Sequence, residues 1–189
     1  QLGCADLPIK VVFRSDGSGT TYNFTRSLSA FSPSWKAGPG AAKSVNWPTG
    51  IGAKGNEGVA ASLQQVKGAI GYVESAYVRG ALQAAAIQNA GGGYAKPSTA
   101  EAAQALASVD LGPELTGSNP NPQAGYPIVT FTWVLLYRSG NASKLPALQK
   151  TFNYTLSDAA QAGAPAMGYV SLPAPVLQKA RAALATIGR

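Results

Sequence analysis

The stretch Val11-Val12-Phe13-Arg14-Ser15-Asp16-Gly17-Ser18-Gly19-Thr20-Thr21 changes its hydrophobic pattern midway. It opens with β-branched and aromatic residues, Val11 to Phe13, which read as the end of a buried strand. Gly17 and Gly19 then mark a turn, because glycine adopts backbone angles that other residues resist. Past the turn the period becomes helical, with Phe24, Leu28 and Phe31 on one face. Ser18, Gly19 and Thr20 therefore fall where a helix begins. The first amides of a helix lack internal partners and carry partial positive charge. Ser18 and Thr20 add hydroxyl donors, and Gly19 has no side chain to keep a ligand away from the backbone. Arg14 offers a planar fork that matches a tetrahedral oxyanion through two parallel hydrogen bonds. Strand, arginine, glycine turn and hydroxyl-rich helix start together make a candidate anion cradle.

The rest of the composition narrows the chemistry. The 189 residues include 15 Lys and Arg against 8 Asp and Glu, a formal charge of +7 that favours anionic partners. The basic residues are dispersed rather than clustered, which argues against nucleic acid. There is no histidine and one cysteine, so the commonest general base, the commonest metal ligand and any internal disulfide are absent. No metal site, no cofactor and no enzyme activity are expected. Cys4 reads as a small apolar residue, although Leu2-Gly3-Cys4 faintly resembles a lipoprotein cleavage site without the segments that precede one. No apolar run is long enough to span a membrane. Asn23, Asn141 and Asn153 begin Asn-x-Ser/Thr sequons, which such a chain also acquires by chance.

Outward from the opening stretch, the chain alternates strand and helix signals. Trp35 is expected to pin the loop around Gly38-Pro39-Gly40, and Val45-Asn46-Trp47 reads as a strand stopped by Pro48. Gly50 to Gly55 fits G-x-G-x-x-G, but Pro48 interrupts the feeding strand and no acidic residue follows at the required distance, so dinucleotide binding is rejected. The segment reads instead as a glycine loop before a helix capped at Asn56, with Val59, Ala60, Leu63 and Val66 inward. Lys54 reads as solvated. Ala69 to Val73 reads as a buried strand, Gly71 as a point of close backbone approach, and Glu74 as a hinge or salt-bridge residue. Ala76 to Ala86 suits a helix or a helix-strand mix. Ser98 or Thr99 caps a short helix, and residues 112–125 read as a surface loop or linker. Ile128 to Tyr137 alternates apolar and polar residues like a long strand. Helices are expected from Leu145 to about Ala162, with Leu148, Phe152, Leu156 and Ala159 inward, and after Pro173, with Val176, Leu177, Ala180, Leu184 and Ile187 inward. The alternation predicts an α/β fold with a mainly parallel sheet.

Arg14 to Thr20 resembles the anion loop of the high-affinity phosphate-binding protein of bacterial ABC transporters. Trp47-Pro48-Thr49-Gly50 through Ala61 and Gly68-Ala69-Ile70-Gly71-Tyr72-Val73-Glu74 resemble the next signature segments of that family, in the same order. Pro127-Ile128-Val129-Thr130 and Tyr169-Val170-Ser171-Leu172-Pro173 fit its C-terminal region. The resemblance implies a periplasmic-binding-protein-like fold of type 2, in which two α/β lobes enclose the anion. Residues 1–125 would be most of the second, anion-loop lobe. Residues 126–189 would supply a crossover strand and the C-terminal part of the first lobe. Arg14, Ser18, Gly19 and Thr20 would contact phosphate, with Asp16 behind them holding Arg14.

The resemblance also implies a periplasmic or secreted solute-binding protein that delivers inorganic phosphate to the membrane permease of an ABC transporter. Members of that family are longer, and their N-terminal part carries further phosphate ligands, including the carboxylate that accepts the anion's proton. That part, or a partner chain supplying it, is expected to complete the site. The alternative is an extracellular structural or interaction module that kept the fold and binds anions weakly or not at all.

Overall fold

The computed structural model describes residues 6–188, so Cys4 lies outside the described residues. The chain forms two compact units, 1–87 and 88–189. This division is one of compactness, whereas the 125/126 boundary expected above concerns lobe membership.

In the first unit, strand β1 (Lys10–Arg14) leads into helix α1 (Gly19–Phe31) and the short helix α2 (Pro33–Ala37). Strand β2 (Ile51–Ala53), helix α3 (Gly55–Gln65) and strand β3 (Ala69–Gly71) follow. The strands form one parallel sheet in the order β2-β1-β3. Val12 pairs with Ile51 on one side and with Gly71 on the other. Both connections are helical, as parallel pairing requires. The chain steps from β1 to one side and returns to the other, so the strand order reverses between β1 and β3. In open α/β sheets the crevice at the carboxyl ends of such strands is where ligands bind.

Both faces of β1 are covered. Val12 is completely buried, as is Val59 of α3, which packs across all three strands. Phe13 belongs to an aromatic stack. Its ring lies 5.1 Å from that of Trp47, Trp47 lies 5.8 Å from Tyr72, and Tyr72 lies 4.5 Å from Phe24 of α1, each pair within 23° of parallel. Offset stacks of this kind add to the area they bury. Trp35 leans on Trp47 and donates its indole N–H to the carbonyl of Gly40, pinning the loop as expected.

Several expectations change here. Val45 to Trp47 is not a strand; Trp47 is committed to the ring stack, and the strand is Ile51–Ala53, which pairs with β1. Gly50 to Ala53 is thus largely strand rather than loop. The cap of α3 is Lys54, without a side-chain bond, and not Asn56. Gly55 opens the helix at φ +70, a conformation that favours glycine. Gly71 does mark a close approach, since a Cβ there would stand 2.6 Å from the carbonyl oxygen of Val12.

In α1 the buried residues are Thr21, Asn23, Thr25 and Ser27, while Phe24 and Leu28 are half-buried and Phe31 is exposed. The hydroxyls make this burial possible. Thr25 donates to the carbonyl of Thr21 at 2.8 Å, and Ser27 donates to that of Asn23 at 3.2 Å. Each return bond satisfies a hydroxyl hydrogen that burial would otherwise strand. Residues 76–86 form only the end of a 3₁₀ turn, Ser75–Tyr77, followed by irregular chain.

Strand β4 (Ile87–Gln88), at the division itself, pairs with β5 (Tyr94–Ala95) across the Gly91–Gly93 turn, and the second unit follows. Helix α4 (Thr99–Ala107) is capped by Ser98, whose hydroxyl accepts the N–H of Glu101. The expected helix after Leu145 is broken into α5 (Leu145–Thr155) and α6 (Asp158–Gly163), because Ser157 caps a new helix with a bond from Ala160 N. Its expected inner residues Leu148, Phe152 and Leu156 are half-buried, and Ala159 is exposed. Helix α7 (Ala174–Ala185) buries Leu184, with Ile187 buried just beyond. A small core of Leu106, Leu111 and Phe131 gathers Val129, Leu172 and Val176. Ile128 to Tyr137 has no strand pairing, and Leu135 and Tyr137 are 92% and 81% exposed. Alternation predicts a strand only where another strand stands beside it, and none does among the described residues.

The candidate anion site

The site lies in the first unit, at the carboxyl ends of β1 and β3. β1 delivers Arg14 and the turn to α1, and β3 delivers Tyr72 and Glu74. Ser18 is the N-cap of α1, with extended backbone and its hydroxyl accepting the N–H of Thr21 at 3.1 Å. That bond uses a lone pair and leaves the Ser18 hydroxyl hydrogen available. The Ser18 amide itself is taken, since it donates to the carbonyl of Lys43 at 2.9 Å. Ser18 can therefore offer an anion its hydroxyl but not its amide. The amides of Gly19 and Thr20 make no hydrogen bond among the described residues. They are the unpartnered donors of the first turn.

Gly17 and Gly19 do not have positive φ. Their value is space: nothing lies within 4 Å of where a Cβ would stand on either.

Arg14 is held along one edge. Its Nε donates to Asp16 Oδ1 at 2.7 Å and its Nη2 to Asp16 Oδ2 at 2.5 Å. The two residues form an ion pair in which the arginine side chain is 11% exposed. The guanidinium keeps the edge between Nη1 and Nη2, a second fork for an oxyanion. Asp16 is itself positioned from α3, where the amide of Gly55 donates to Oδ1 at 3.1 Å. The Arg14 bonds, and after them the Gly55 amide, hold the Asp16 carboxyl well below the usual carboxylate range. The same pair raises Arg14, against the opposing effect of burial. Asp16 thus stands where it can orient Arg14.

Three further residues shape the site. Tyr72 accepts the backbone N–H of Arg14 at 3.2 Å, and its hydroxyl shares a 2.6 Å hydrogen bond with Thr21 Oγ1. It ties the end of β1 to the start of α1. Asn56 donates to Glu74 Oε1 at 3.1 Å and accepts the Glu74 N–H at 3.3 Å. Glu74 also accepts the Thr20 hydroxyl at 3.0 Å. It makes no ion pair among the described residues, so it joins elements by hydrogen bonds rather than as a salt bridge. Ala69 to Val73 is not the buried strand expected, since β3 ends at Gly71 and Ile70 is 56% exposed, but Tyr72 just beyond it is buried, and a buried tyrosine needs a partner for its hydroxyl. Lys54 is exposed, as expected.

Among the described residues no group of three or more His, Cys, Asp or Glu could hold a metal ion, and no helix is long and apolar enough to cross a membrane. Of the sequons, Asn23 and Asn141 are buried, and Asn141 Nδ2 donates to the carbonyls of Tyr137 and Gly188, while Asn153 is exposed.

The family model described as the PBP superfamily domain matches residues 1–162. The chain belongs to the PBP superfamily. Within it, this superfamily member is 38% identical over 183 residues to the phosphate-binding protein PstS of Xylella fastidiosa (strain 9a5c), an alignment covering 94% of this chain and 50% of the relative. It is 39% identical over 189 residues to PstS of Pasteurella multocida, covering 94% and 54%. With PstS of Methanocaldococcus jannaschii it shares 34% over 195 residues, covering 89% and 49%. The chain spans about half the length of the curated relatives it matches. The α/β architecture with its parallel sheet is also that of solved structures. A high-affinity periplasmic phosphate-binding protein, solved with phosphate, matches with a TM-score of 0.72 at 24% identity, covering 93% of this chain and 57% of that one. A human phosphate-binding apolipoprotein matches with a TM-score of 0.69 at 23% identity, covering 93% and 58%.

Proposed function

We propose that this chain carries the anion-loop part of a solute-binding protein for inorganic phosphate, acting outside the cytoplasm and serving the membrane permease of an ABC importer. The observation that carries the reading is that the turn from β1 to α1 holds, within seven residues, an Arg14 bonded to protein along one guanidinium edge only and the open amides of Gly19 and Thr20. A tetrahedral oxyanion needs donors from several directions, and this set supplies a charged fork, backbone N–H groups and hydroxyls. The relatives named PstS support the choice of phosphate among oxyanions. In this reading Arg14, Ser18, Gly19 and Thr20 contact the anion and Asp16 orients Arg14. Residues 1–125 belong to the anion-loop lobe, and residues 126–189 to the crossover and the other lobe.

Binding here is a matter of held donors rather than of bond-making. The role in this reading is capture and release. Thermal melting with and without phosphate tests the reading, because a ligand that binds only the folded state raises the melting temperature with its concentration. Phosphate is expected to raise the midpoint progressively, and sulfate at the same ionic strength to raise it less. An unchanged midpoint at millimolar phosphate would favour the structural module instead.

A further inference from the structure

We propose that Glu74 sets how tightly the site holds its anion, by competing for the hydroxyl hydrogen of Thr20. The inference rests on the phosphate reading above. Thr20 Oγ1 has a single hydrogen, and it donates that hydrogen to Glu74 Oε1 at 3.0 Å. A phosphate oxygen arriving at the start of α1 needs the same hydrogen. Glu74 and the anion therefore cannot both be satisfied by Thr20.

Glu74 does not depend on Thr20 for its place. Asn56, in the first turn of α3, donates to the same carboxylate oxygen and accepts the Glu74 backbone N–H. When Thr20 turns to the anion, the carboxylate keeps Asn56, and its exposed side chain finds water for the lone pair set free. The exchange costs one hydrogen bond and no rearrangement of β3 or α3. The negative charge adds to the effect. Glu74 is among the charges that act on Arg14, so a dianion held by Arg14 feels it as repulsion. A carboxylate seated at this point weakens binding and speeds release, which suits a protein that must hand its cargo on.

Isothermal titration with inorganic phosphate tests this in the wild type, Glu74→Ala, Glu74→Gln, Thr20→Val and the Thr20→Val/Glu74→Ala pair. Glu74→Ala frees the hydroxyl and removes the charge, and is expected to bind phosphate about 3- to 10-fold more tightly. Glu74→Gln keeps an acceptor oxygen without the charge, and is expected to gain only part of that. In the Thr20→Val background the gain from Glu74→Ala should shrink to about the Glu74→Gln level, since the coupling runs through Thr20. Unchanged or weaker binding in Glu74→Ala, with binding still abolished by Arg14→Ala, overturns this inference and leaves the site reading standing. An undiminished gain without the Thr20 hydroxyl also overturns it. A wild type that gives no phosphate heat removes both.

Discussion

The hydroxyl of Tyr72 accepts the backbone N–H of Arg14 at 3.2 Å, at the last residue of β1, where the anion loop begins. The same hydroxyl meets Thr21 Oγ1 at 2.6 Å, so one buried oxygen fixes the arginine's backbone against the first turn of α1. Its ring is clamped between Trp47 and Phe24. The loop, whose own residues supply the Ser18 cap and the Arg14–Asp16 pair, is thus also tied down from the end of β3, 58 residues along the chain.

Tyr72→Phe keeps the ring stack and removes only the oxygen. It strands the Arg14 N–H and leaves Thr21 with one partner fewer. The expected loss is about 1–3 kcal/mol in urea unfolding, with the slope unchanged. Phosphate affinity should fall as well, because Arg14 and the helix start lose their common anchor. A variant as stable as the wild type would show that the bond is not needed.

Gly19 separates space from backbone freedom. Its φ is not positive, and no atom stands within 4 Å of the place a Cβ would take, so Gly19→Ala introduces no clash. Alanine at the first helical position should leave stability unchanged or raise it, by up to about 1 kcal/mol. The added methyl nonetheless stands beside an amide proposed to touch the anion. Affinity is expected to fall about tenfold or more while the melting temperature of the free protein holds or rises. Equal affinity would place the anion elsewhere.

Asp16 gives the site a pH signature. Its carboxyl is held below the ordinary value of 3.8 by Arg14 first and the Gly55 amide second. A depressed folded value means that the unfolded chain takes up the proton more readily. The pair's contribution is therefore fully present above the unfolded value and is lost as pH falls toward the folded one. The difference in urea midpoint between wild type and Asp16→Asn should be constant from about pH 7 to about pH 5 and narrow steadily below about pH 4. A difference that closes already near neutrality would mean that Asp16 is not held by Arg14 in the folded state.

The anion loop is legible in the sequence because each signal in it is local. The period changes from strand to helix between Phe13 and Thr20, and Ser18 is an ordinary capping residue. β2 is not legible. Ile51 is a strand former, but Gly52 and Ala53 beside it are not, and so short a run shows as a strand only through its pairing with β1. The reverse holds for residues 128–137, whose alternation is strand-like but which find no ladder among the described residues. In α1 the apolar stripe misleads: threonine and serine hydroxyls that bond back to the helix are buried, while Phe31 is not. Taken one at a time, Glu74 looks like a hinge or salt-bridge residue and Asn56 like a cap. Their pairing joins α3 to the end of β3 and is a tertiary fact.

The central claim is that the free edge of Arg14, with the open amides of α1, holds phosphate. Calorimetric titration of the wild type and Arg14→Ala with inorganic phosphate, at one pH and ionic strength, tests it most directly. The account predicts saturable one-to-one binding in the wild type and a loss of about a hundredfold or more in Arg14→Ala, with both proteins folded. Wild-type protein that gives no heat with phosphate, or an Arg14→Ala variant that binds as well as the wild type, would contradict it.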